Sequence, residues 1–127
     1  MKTMLVDAVD TFIIEGEGIF TEMQKLLDEY PNPKIILTNA NDEQMLKFGL
    51  DKMPYPVFTL KHQPDKVDPE YFKKMLENFH FTPEDVIYFE HNAKAVESAR
   101  SIGIDSYHYD MGKKDLIALK RFLESYL

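Results

Sequence analysis

Three short apolar runs, each stopping abruptly at a polar residue, constrain this chain more than any other feature. Lys2 to Val6 stops at Asp7, Lys34 to Leu37 at Thr38, and Val86 to Phe89 at Glu90. Short runs rich in β-branched and aromatic residues read as strands buried on both faces, as in a parallel sheet. Helical spacing fills the gaps between them. Phe20, Met23, Leu27 and Tyr30 share one face. Asp68-Pro69-Glu70 combines an N-cap, a first-turn proline and an acidic first turn, followed by Phe72, Met75, Leu76 and Phe79 on one stripe. Ala95, Val96, Ala99 and Ile102 repeat the spacing, and Gly103 supplies a stop. Leu116, Leu119, Leu123 and Tyr126 predict a last helix. Strand alternating with helix predicts an α/β fold, a parallel sheet with helices on both faces. Ligands of such sheets bind beyond the carboxyl ends of the strands, so Asp7, Thr38 and Glu90 are expected at one edge.

Composition narrows the function. The 127 residues are expected to form a single domain over 1–127, long enough to bury a core. With no cysteine, disulfide frameworks, thiolate zinc sites and thiol nucleophiles are excluded. A net charge of −7 argues against nucleic acid or an anionic membrane as partner. No apolar run reaches the roughly 20 residues of a membrane span. The first residues lack a secretory pattern, so a cytoplasmic location is expected.

Four segments, in order, resemble the haloacid dehalogenase (HAD) superfamily. Leu5-Val6-Asp7-Ala8-Val9-Asp10-Thr11 resembles its first motif, an apolar strand followed by Asp-x-Asp-Gly-Thr. Ile35-Ile36-Leu37-Thr38-Asn39 resembles the second. Lys66-Val67-Asp68-Pro69-Glu70-Tyr71-Phe72 resembles the third, a lysine ahead of a helix. Ile87-Tyr88-Phe89-Glu90-His91 and the following helix to Gly103-Ile104 resemble the fourth. The resemblance implies a three-layer Rossmann-like fold and phosphoryl transfer through an aspartyl-phosphate at Asp7. It implies that Thr38 and Lys66 bind the phosphoryl oxygens. It further implies that Asp7, the main-chain carbonyl of Val9 and Glu90 hold Mg2+, with Mn2+ as a substitute.

Departures from the pattern bear on activity. The first and fourth motifs are degenerate. Val9 stands where the family carries its acid/base aspartate, whose help is worth about two to four powers of ten in rate. Asp10 replaces the usual glycine and is expected either to crowd the site or to place an anion near an anionic substrate. His91 replaces a second acid and favours a softer metal than magnesium. Asn39, Asp10 and His91 are thus candidate modifiers of the site. Thr38 and Asn39 also suit the turn into a helix capped near Asn41 or Asp42. His62, His80 and His108 have no ligand partners at a recognisable spacing and receive no chemistry.

There is no room for a cap domain, since only the segment around Gly16-Glu17-Gly18 follows the first motif, and one helix, a short strand and a loop separate Asn39 from Lys66. An uncovered site calls for a large phosphorylated substrate, a second copy of the chain, or weak activity. Three readings stay open, the first two being a weakly active phosphatase or phosphotransferase, and an inactive binding or scaffold protein on the same fold. Dehalogenation is a third. A signalling receiver domain fits poorly, because Lys66 to Phe72 has no counterpart there.

Overall fold

A computed structural model describes all 127 residues. Strand β1 (Thr3–Asp7) leads through a small hairpin, β2 (Ile13–Ile14) and β3 (Gly18–Ile19), into α1 (Thr21–Asp28). Then follow β4 (Lys34–Thr38), α2 (Asp42–Lys47), β5 (Val57–Thr59) and α3 (Pro69–Phe79). The chain ends with β6 (Val86–Glu90), α4 (Ala93–Ser101), β7 (Asp105–His108) and α5 (Leu116–Tyr126). Five strands form one sheet in the order β5-β4-β1-β6-β7, and all its pairings are parallel.

The alternation of side chains along a strand divides the apolar runs between two cores. Met4, Val6, Ile36, Ile87 and Phe89 point to one face, where Met23 and Leu27 of α1 and Leu119 and Leu123 of α5 cover them. Leu5, Ile35, Leu37, Val86 and Tyr88 point to the other, beneath Tyr71, Phe72, Met75 and Leu76 of α3 and Ala99 of α4. Each fully buried side chain of this size contributes about 1.5–3 kcal/mol relative to exposure. That is why strands with so little polar alternation are stable only in the centre of a covered sheet.

Four of the helices start on side-chain caps. Asn41 and Gln44 form a reciprocal capping box on α2, Asp68 caps α3, Asn92 caps α4 and Asp115 caps α5. Neither β7 nor the β2–β3 hairpin carries a sequence signal. Asp105-Ser106-Tyr107-His108 is a polar edge strand, held by main-chain pairing to β6 rather than by an apolar pattern. The β2–β3 hairpin and the short α2–β5 stretch occupy the positions where a cap would be inserted, so the core is capless. No helix is long and apolar enough to cross a membrane.

Candidate active site at the carboxyl edge of the sheet

Parallel register sets the site. Asp7 pairs with Leu37, and Val6 pairs with Phe89, so Glu90 emerges next to Asp7. By alternation, Asp7, Tyr88 and Glu90 all lie on the α3–α4 side. Lys66 reaches them from the loop ahead of α3, its main-chain N–H donating to Asn39 Oδ1 at 2.8 Å. Its Nζ lies 2.5 Å from Asp7 Oδ1 and 2.7 Å from Glu90 Oε1. It also donates to the Leu37 carbonyl at 3.2 Å. Far from a solvated surface lysine, Lys66 is only 5% exposed.

The other oxygens of the two carboxylates face His91. Its Nδ1 lies 2.5 Å from Asp7 Oδ2 and 3.2 Å from Glu90 Oε2. Thr11 donates its hydroxyl to Asp7 Oδ2 at 2.7 Å, and the Asn92 N–H donates to Glu90 Oε2 at 3.0 Å. The Tyr88 hydroxyl donates to Glu90 Oε1. His108 Nε2 holds the His91 carbonyl at 2.9 Å.

Two buried acids are therefore matched by two bases. Burial and the charge of Glu90 raise the Asp7 carboxyl above its usual range, against the pull of Lys66. Burial opposes ionisation of Glu90 as well, but the Lys66 charge and the His91 hydrogen bond hold it well below the usual range. For Lys66, burial disfavours the ammonium, and the charges of Asp7 and Glu90 outweigh it and raise its pKa. Hydrogen bonds to Asp7 and Glu90 push the His91 imidazole up to about 10.

This cluster floors a cleft of about 210 Å³. Val9, Val67 and Ala95 line part of its wall, and Gln44 and Phe48, from α2 and the residue after it, line another part. The loop before Lys66 is tied to α2 by His62, whose Nε2 lies 2.7 Å from Gln44 Oε1 and whose Nδ1 lies 2.8 Å from Asp65 Oδ1. A capless core thus still has a walled site, one side of it built from residues between β4 and α3.

Asp7, Lys66, Glu90 and His91 come together in direct contact. Thr38 lines the same cleft, but its hydroxyl accepts the Ala40 N–H at 3.2 Å and shapes the turn. Asn39 lines it too and sets the backbone of Lys66. Val9 is on the cleft wall. The expectation for Asp10 is corrected: it lines a separate small depression with Ile14, Tyr109 and Lys114, and does not crowd the cleft. Its φ of 68° explains this, since the turn demands a left-handed residue that glycine or aspartate tolerates, and the turn carries the side chain elsewhere. His62 and His108 have supporting contacts that spacing did not reveal. Thr11 and Tyr88 were also missed as members of the site, although Tyr88 was legible as the residue two before Glu90 on one strand face.

Asp7, Glu90 and His91 each offer a ligand atom, all within 4.8 Å of one another. Two carboxylates and an imidazole form a donor set that fits a divalent cation.

No protein-family model matches the chain, and no curated protein matches its sequence. Solved structures do match its fold. A HAD family enzyme from Bacteroides thetaiotaomicron, as a magnesium complex, gives a TM-score of 0.69 at 15% identity, over 95% of this chain and 98% of that one. A variant of that enzyme with aspartate replaced by alanine, in complex with magnesium and inorganic phosphate, gives 0.65 at 15% identity, over 88% and 95%. A conserved haloacid dehalogenase-like protein of unknown function from Agrobacterium tumefaciens gives 0.58 at 18% identity, over 84% of this chain and 62% of that one. The fold is HAD-like.

Proposed function

We propose that this HAD-fold chain is a phosphohydrolase or phosphotransferase with Asp7 as nucleophile. One observation carries the reading: Asp7, 3% exposed, sits on the floor of an open cleft with the buried Lys66 ammonium 2.5 Å from its Oδ1. A buried carboxylate held beside a fixed cation at the ligand-binding edge of a parallel sheet is placed to meet a phosphoryl group.

In the first step an Asp7 oxygen attacks phosphorus. The bond from phosphorus to the leaving oxygen breaks, and its electron pair departs with that oxygen. Lys66 neutralises charge on the phosphoryl oxygens, and Thr38 borders the same space. In the second step water attacks the phosphorus of the aspartyl-phosphate, the bond to Asp7 breaks, and inorganic phosphate leaves with the carboxylate restored. Asp7, Glu90 and the Val9 carbonyl would hold Mg2+, or Mn2+ in its place, and the cation supplies further charge neutralisation when bound. Val9 offers no proton on the cleft wall, so good leaving groups are preferred and the second step is slow. The substrate carries a phosphate group, and the like fold of the magnesium- and phosphate-bound Bacteroides enzyme supports that class.

A second reading, an inactive binding protein on this fold, is favoured by the same Val9 and by the engagement of both Asp7 oxygens by Lys66, Thr11 and His91. Titration with beryllofluoride and magnesium, followed by NMR, separates the two. A specific complex lost in Asp7→Asn supports the nucleophile, and its absence in the wild type supports the binding protein.

A further inference from the structure

Each carboxylate turns one oxygen to Lys66 and the other to His91. Asp7 Oδ1 and Glu90 Oε1 belong to Lys66 Nζ. The remaining pair, Asp7 Oδ2 and Glu90 Oε2, faces the imidazole Nδ1. The side of the acid pair open to a cation is therefore a mixed pocket of two oxygens and one nitrogen. Magnesium wants oxygen ligands and retained waters. An imidazole nitrogen instead suits cobalt, nickel, copper and zinc.

We infer that Asp7 Oδ2, Glu90 Oε2 and His91 Nδ1 form a site selective for a first-row transition ion over magnesium. The inference rests on the proposed role of Asp7 and Glu90 as cation ligands and assigns the class of ion they take with His91. The distances suit it. Bonds of about 2.0–2.2 Å at tetrahedral or octahedral angles place neighbouring ligand atoms about 3.0–3.4 Å apart. Nδ1 stands 3.2 Å from Glu90 Oε2 and 2.5 Å from Asp7 Oδ2, so the Asp7–His91 edge must open by about half an ångström, and the ligand atoms of all three residues lie within 4.8 Å of one another.

His91 is also held in place. It follows Glu90 directly, His108 fixes its carbonyl, and Asn92 after it caps α4. Thr11 steadies Asp7 Oδ2, as supporting hydrogen bonds do around metal ligands. On loading, the Nδ1 proton passes to solvent and the nitrogen lone pair binds the ion.

The test is isothermal titration of the metal-free protein with Co2+ and with Mg2+, alongside the visible absorption of bound Co2+. The variants are His91→Asn, His91→Gln and Asp7→Asn, each checked for folding by circular dichroism. The expected result is that the ratio of Co2+ to Mg2+ affinity falls by about tenfold or more in both His91 variants, with a changed Co2+ spectrum. A ratio and spectrum unchanged by both His91 variants, with Mg2+ binding still lost in Asp7→Asn, overturn this inference alone. Binding of both ions unaffected by Asp7→Asn overturns it together with the proposed cation role of Asp7.

Discussion

His91 Nδ1 lies 2.5 Å from Asp7 Oδ2, on the side of the carboxylate that Lys66 leaves free. Asp7 is thereby clamped between two bases contributed by different parts of the chain, the loop before α3 and the end of β6. The pairing explains how two acids persist at this buried edge, and it gives the site a measurable electrostatic signature.

Removing Lys66 should expose that balance. Lys66→Met leaves Asp7 and Glu90 buried with only His91 to offset them. A broken buried ion pair costs about 3–5 kcal/mol, so urea denaturation at pH 7 should show a loss of that size. The loss should shrink toward pH 4 as the acids protonate. A cost below about 1 kcal/mol at pH 7 would mean that the cluster is not charge-matched as described.

The His91 contacts predict a pH dependence. Its pKa is raised from 6.5 to about 10 by Asp7 and Glu90. A group raised on folding contributes its full stabilisation below its unfolded value and loses it as pH rises through the folded one. In metal-free protein the stability difference between wild type and His91→Asn should therefore be fully present near pH 6, where its acid partners are still ionised, and decline between about 6.5 and 10. Denaturant midpoints across that range measure it, and a flat difference would contradict the geometry.

Much of this was legible in the chain, for a simple reason. An apolar run that ends on Asp, Thr or Glu marks both a central strand and its ligand-facing end, and β1, β4 and β6 follow that rule. Lys66 was legible through the Asp68-Pro69 helix start behind it. The β7 strand was not, because its residues are polar and its order comes from pairing with β6. The His91–Asp7 contact was also hidden. It joins residues 84 positions apart and depends on the register that sets Glu90 beside Asp7. Asp10 misled because one left-handed backbone angle, invisible in the residue name, turns its side chain out of the cleft.

Val9 faces the cleft and Asp10 does not obstruct it, so restoring an acid there is a clean experiment. Val9→Asp should raise turnover of alkyl phosphates by about a hundredfold or more, because their basic leaving groups need a proton. The gain for p-nitrophenyl phosphate should be small. A third acid near Asp7 and Glu90 should also lower metal-free stability through like-charge repulsion. Steady-state rates on both substrates check this. If the folded variant is as inactive as Asp7→Asn, the scaffold reading takes precedence.

Asn39→Ala tests how Lys66 is aimed. The substitution leaves the Lys66 N–H without its 2.8 Å acceptor. A cost of about 1–3 kcal/mol is expected, from an unsatisfied donor in a largely buried setting. Phosphoryl-transfer activity should fall more than stability alone explains. Thermal unfolding and single-turnover rates, measured together, separate the two effects.

The central claim is that Asp7 carries the phosphoryl group. With Val9 offering no base to activate water, the aspartyl-phosphate should outlast the step that forms it when the leaving group is good. The most direct measurement is rapid acid quenching during reaction with p-nitrophenyl phosphate and divalent cation, followed by mass analysis of the peptide containing Asp7. The account predicts one added phosphoryl group on Asp7 in the wild type, and none in Asp7→Asn. An unmodified Asp7 under conditions that release p-nitrophenol, or equal labelling in Asp7→Asn, would contradict it.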